Sequence, residues 1–225
     1  MSGLLQGLPQ IITAIGGLGT AAFGLVDASK VVFPINHIGF KGIKTTVAKL
    51  TPGAPANGLS QEKILATLEA NWINGTGLGG QKSIAKSLIK LNLNAANAAA
   101  LAKETGVDSD VFTAIATSIA AGTPLKTDQG DVYARFDLIV TTLLDETYQR
   151  SDQVYRNWTR ALAAMTAVGL ALAGGLTLHT TGTPRLRDFG LSLLVGLLAT
   201  PLAPIAKDLS SALETAVNTL QLVKK

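Results

Sequence analysis

Gly75, Gly77 and Gly80 stand in the spacing G-x-G-x-x-G, with Lys82 and Ser83 just beyond. Glycines so placed can let backbone amides close around a phosphate at a helix N-terminus. The surroundings argue against that chemistry. A dinucleotide fingerprint follows a strand, whereas 64–72 has helical periodicity. A phosphate-binding P-loop needs glycine directly before Lys-Ser, and here Gln81 intervenes. The segment 74–80 therefore reads as a connecting loop.

Other residue types able to do chemistry are sparse. His37 and His179 lie near the ends of different apolar segments, without a carboxylate or second histidine at ligand spacing, so no metal centre is expected. The absence of cysteine excludes disulfide, thiolate and iron–sulfur chemistry. Asp137 sits among Phe136, Leu138, Ile139 and Val140 and reads as a solvated or arginine-paired helix residue. No serine or threonine lies in a nucleophile motif. Lys82, Lys86 and Lys90 repeat every four residues but lack the aromatic platforms that single-stranded nucleic acid uses. That stripe reads as a solvated face, with no nucleic acid partner. The expectation is a chain that is not an enzyme, with no catalytic residue and no cofactor.

Three charge-free stretches, 3–26, 161–178 and 189–206, dominate the remainder. A hydrocarbon core about 30 Å thick needs about 20 apolar residues at 1.5 Å rise each. Backbone groups in lipid must be satisfied internally, which makes such segments helices. Mean hydropathy of +0.34 with 15% charged residues agrees, since soluble domains carry about a quarter. The predicted fold class is all-α, a polytopic membrane protein with three transmembrane helices and a small helical domain. Its expected parts are a first span over 1–33, a basic juxtamembrane segment and linker over 34–58, a cytoplasmic helical domain over 59–160, a transmembrane hairpin over 161–206 and an amphipathic helix over 207–225. The first span lacks a basic leader and a cleavage site, so it reads as retained rather than as a signal peptide.

Basic residues beside the spans set the orientation. Lys30, Lys41, Lys44 and Lys49 are the only charges over 28–60, and Arg150, Arg156 and Arg160 precede the second span. They place the central domain in the cytoplasm and the chain in the cell inner membrane. Phe40, Ile43, Val47 and Leu50 share a helical face away from Lys41 and Lys44, predicting a helix lying on anionic lipid. Lys41, Lys44, Lys49, Arg156, Trp158 and Arg160 are the expected lipid-surface residues. Asn74 and Asn157 head glycosylation sequons that this topology leaves on the cytoplasmic side.

Within the central region, Ser60 should cap a helix whose buried face is Ile64, Leu68 and Trp72. Helices follow over about 81–91, burying Ile84, Leu88 and Leu91, then over 95–105 and 109–121. One long helix is expected from about Gly130 to Leu178. The stretch 148–157 resembles bacterial membrane proteins without assigned roles, a resemblance that implies no particular activity.

Small residues recur four apart in the spans and permit close helix approach. Gly16, Thr20 and Gly24 form one such line, with Gly17 and Ala21 on the next, and Ala163, Ala167, Ala171 and Gly175 form another. These are the expected helix-packing interface. The spans carry no ionisable residue, unlike those of transporters and pumps. The reading is a membrane scaffold or accessory subunit, partnered by membrane lipids and by copies of itself as a homo-oligomer, or by a membrane complex. The alternative is an oligomeric pore from the 161–206 hairpin, lined by Thr166, Thr177, Ser192 and Thr200.

Overall fold

A computed structural model describes residues 2–30, 34–53, 59–178 and 187–204. Among these the chain is all helical, with no strand. The elements are α1 (Ser2–Ser29), a 3-10 turn (Pro34–His37), α2 (Phe40–Lys49), α3 (Gln61–Ile73), α4 (Leu78–Asn92), α5 (Ala95–Thr105), α6 (Ser109–Ala120) and α7 (Thr127–Leu178). An eighth helix, α8, covers 187–204. The expected amphipathic helix over 207–225, the turn holding His179, and residues 54–58 of the linker lie outside the described residues.

Local chemistry sets most boundaries. Ser60 accepts the Lys63 amide at the start of α3, and Asp108 accepts the amides of Asp110 and Val111 at the start of α6. Asn94 and Asn97 form a reciprocal capping box on α5, which ends at Gly106 in the left-handed region (φ 66°). A side-chain cap satisfies amides that have no partner within the helix, and glycine takes the left-handed turn at no steric cost.

Contacts divide the chain into two compact units, Ile35–Tyr155 and Met1–Pro34 with Arg156–Lys225. The Ile35–Tyr155 unit is a helical bundle around one core. Phe112 meets Phe136 at 4.6 Å between ring centroids, and Ile43, Ile64, Leu68, Ile89, Val140 and Tyr148 are fully buried around them. Each such apolar side chain contributes about 1.5–3 kcal/mol of burial. The start of α3 also closes the end of α2. The Gln61 amide nitrogen donates to the carbonyls of Ala48 (2.9 Å) and Thr51 (2.8 Å).

Two expectations about this unit need correction. The apolar face of α2, expected on lipid, is instead core, with Phe40, Ile43, Val47 and Leu50 all buried against the other helices. A hydrophobic stripe cannot announce its partner, and here protein covers it first. The helix expected from about Gln81 starts at Leu78, taking Gly79 and Gly80 into its first turn. The Gln81 side chain folds back to the Thr76 carbonyl there, and Leu78 packs on the core.

Two helical stretches, Ile11–Ser29 and Thr127–Thr177, are long and apolar enough to cross a membrane by length and composition. The described part of α8 begins with Arg187 and Asp188 and continues through Pro201 to residue 204. Small residues hold these helices together. Ala22, Ala167 and Ala199 are fully buried together, with Ile15, Leu18 and Leu170 packed on them.

Candidate functional site

The glycine segment has the geometry of a helix start with no acceptor site built around it. Gly77 is the N-cap of α4 with no side-chain bond, and Gly75, Gly77 and Gly79 are open to space. Gln81, just before the Lys82-Ser83 pair, is buried and donates to Thr76.

The α4 lysines have a different role from the solvated face expected of them. Lys86 donates to Asp137 (2.7 Å) and Thr141 (3.1 Å), Lys90 donates to Asp137 (2.7 Å), and Lys82 pairs with Asp145. The two stripes, Lys82/Lys86/Lys90 on α4 and Asp137/Thr141/Asp145 on α7, each repeat every four residues and mate in opposite directions. Asp137 is thus lysine-paired rather than solvated or arginine-paired. The rotation that brings the lysines to α7 leaves Leu91, expected in the core, 59% exposed. Ala85 and Ile89 take the core face, with Ile84 and Leu88 partly buried beside them.

Burial raises the Asp137 carboxyl pKa, but hydrogen bonds and charge from Lys86 and Lys90 outweigh it, and the group lies below the usual carboxylate value. Burial likewise lowers Lys90, and the Asp137 hydrogen bond with the charges of Tyr133 and Asp137 carries it above the ordinary lysine value. The Lys90 ammonium also stands 5.1 Å from the Tyr133 ring centroid. These lysines are spent inside the fold. Nearby in the core, the Tyr148 phenol has no hydrogen-bond partner, and burial pushes its pKa up.

His37 meets a carboxylate that its sequence neighbourhood does not contain. Its Nδ1 lies 2.7 Å from Glu69 Oε1 on α3. The same turn receives the Trp72 indole N–H at the Asn36 carbonyl (2.7 Å), and Trp72 stands edge-on to Tyr155 at 6.0 Å. Gly39 begins α2 with φ 94°, and a Cβ there would lie 2.5 Å from the Ser151 carbonyl oxygen. Among the described residues no group of three or more potential metal ligands is present.

The expected lipid-surface residues Lys41, Lys44, Lys49, Arg156, Trp158 and Arg160 are all exposed. The first three line an open groove of about 630 Å³ with Thr45, Ala48 and Gln61. Among the described residues none of these three lysines makes an ion pair.

The expected packing residues divide into two groups. Gly16, Ala163 and Ala167 are buried, Ala171 is half-buried, and a Cβ on Gly175 would strike the Ser192 hydroxyl. Gly17, Thr20, Ala21 and Gly24 are exposed, and the two glycines have nothing within 4 Å of where a Cβ would sit. The residue that reasoning on four-residue spacing missed is Gly19. A Cβ there would run into the Ala199 carbonyl, while one on Gly196 would lie 2.5 Å from the Val168 Cα. Three-residue spacing along Gly16, Gly19 and Ala22 is the signal that could have found this line.

No protein-family model, no curated protein and no solved structure matches the chain.

Proposed function

We propose that the chain is a non-enzymatic integral membrane scaffold or accessory subunit, with three spans and its Ile35–Tyr155 unit in the cytoplasm. The exposure of its apolar helices carries the reading. In the most apolar windows of the two candidate spans, only 22% and 11% of residues are buried, where the core helix of a soluble protein would be mostly buried. Ile11, Leu25, Met165 and Leu176 stand at least half exposed, as do Leu191, Leu194 and Leu197 on α8. In water such surface is an association liability; in lipid it is the natural outer face. The exposed face of α1 with Gly17, Ala21 and Gly24 leaves room for another helix to approach closely, which supports assembly.

A blue-native gel or mass photometry in mild detergent tests the role. The wild-type chain should run as an oligomer or larger complex, and Gly17→Leu with Gly24→Leu should shift it toward monomer. A wild-type chain that is a clean monomer with no partner rules the scaffold out. The pore reading draws less support. Thr177 spends its hydroxyl on the Gly174 carbonyl (3.0 Å), and Ser192 faces Gly175 within the hairpin.

A further inference from the structure

We propose that the groove formed by Lys41, Lys44, Thr45, Ala48, Lys49 and Gln61 binds the phosphate of an anionic lipid headgroup. The apolar side of α2 is consumed by the core, so this helix meets a membrane through its lysines and not by inserting. The Ile35–Tyr155 unit holds nine lysines, of which Lys63 on α3 has a partner and Lys126 stands alone just before α7. Those on α4 are each matched by a carboxylate, and Lys103 stands apart on α5. Lys41, Lys44 and Lys49 form the cluster left without an ion pair among the described residues, with no acid anywhere over 28–60.

The walls of the groove are already committed to the fold. Gln61 Nε2 is held by the Ala48 and Thr51 carbonyls, and the Thr45 hydroxyl donates to the Lys41 carbonyl (2.9 Å). Three ammonium groups are the donors that remain, and ammonium is a compact cation suited to phosphate. Among the described residues no aromatic side chain lines the groove, which disfavours stacked bases and so disfavours single-stranded nucleic acid. In the chain, α2 is the first α-helix after the apolar α1, the position at which basic clusters engage anionic leaflets.

The inference rests on the membrane reading, and its test separates the two. The full chain, purified in neutral detergent, is titrated with phosphatidylglycerol or phosphatidylcholine, and retained lipid is measured by native mass spectrometry. Wild type should retain phosphatidylglycerol at least tenfold more tightly. Each basic residue near an anionic surface is worth about fivefold, so Lys41→Gln, Lys44→Gln and Lys49→Gln together should abolish the preference. The corresponding triple arginine variant should keep it, and Lys103→Gln should leave it unchanged. A preference that survives the triple glutamine variant overturns the site, as does an equal loss in Lys103→Gln. Displacement of the lipid by an equal concentration of glycerol phosphate, or of a single-stranded oligonucleotide, overturns the lipid as occupant. A chain that stays in the supernatant after membranes are pelleted overturns the membrane reading itself; a membrane-bound chain without lipid preference overturns only the site.

Discussion

Replacing Asp137 with asparagine keeps the shape of the side chain and removes the charge that two lysines share. Lys86 and Lys90 both lie 2.7 Å from its carboxylate, and the three side chains are 32%, 31% and 26% exposed. Hydrogen bonds to charged groups contribute about 1.5–3 kcal/mol when buried, and exposed pairs about 0.2–1 kcal/mol. At this intermediate burial about 1 kcal/mol per lysine is reasonable after discounting for solvent, so Asp137→Asn should cost about 2 kcal/mol. For a unit of this size that is a fall in Tm of about 8 °C, read by circular dichroism in mild detergent at neutral pH. Asp145→Asn, which loses one lysine at a more exposed site, should cost about 0.5 kcal/mol. The decisive measurement is a cycle with Lys90→Met, where the double variant should lose about 1 kcal/mol less than the sum of the singles. Because the Asp137 pKa is lowered by folding, this stabilisation is complete above the ordinary carboxylate value and lost as pH falls through the lowered one. Wild type and Asp137→Asn should therefore converge in strong acid. Strict additivity in the cycle, or a wild-type advantage that persists there, would refute the ladder.

Gly39→Ala should cost about 3 kcal/mol, from the left-handed backbone and a Cβ set 2.5 Å from the Ser151 carbonyl; a Tm within a degree of wild type would show that the turn relaxes freely. Tyr148→Phe should raise Tm by a few degrees, because it removes a buried hydroxyl that has no partner; a fall in Tm would mean the hydroxyl is bonded after all. On the alkaline side both values are raised: Lys90 contributes in full below its ordinary pKa and loses that as pH rises through the raised one, while Tyr148 adds a growing cost above its ordinary pKa because the unfolded chain ionises first. Thermal melts above about pH 10 should accordingly show less destabilisation for Tyr148→Phe than for wild type. Gly196→Val should destabilise the packing of α8 by about 2 kcal/mol, since the nearest atom is backbone; Gly17→Val on the open face should leave the melt of the isolated chain unchanged.

What was legible in the sequence follows the range of the interactions involved. Ser60, Asn94, Asp108 and Gly106 act within three or four residues, and the helix ends they set are where pattern places them. The amphipathic face of α2 was equally plain, but its partner lies up to about a hundred residues away in α7, as the Thr46–Thr147 hydroxyl contact shows. A stripe of apolar residues says only that something covers it. The lysine–aspartate ladder joins residues 47 to 63 positions apart, and either stripe alone is indistinguishable from a solvated face. The matching four-residue spacing of Asp137, Thr141 and Asp145 was the available clue. Among the small residues, spacing alone could not choose between neighbouring lines on the helix surface, so it named Gly17 and Gly24 and passed over Gly19.

The carboxamide of Gln61 has a consequence for motion. A terminal turn ordinarily frays because its last carbonyls look to water, yet here a side chain from the next helix holds them. Neither segment can open at that junction without the other losing a bond, so amide protons in the last turn of α2 should exchange at the same rate as those in the first turn of α3, as one cooperative element.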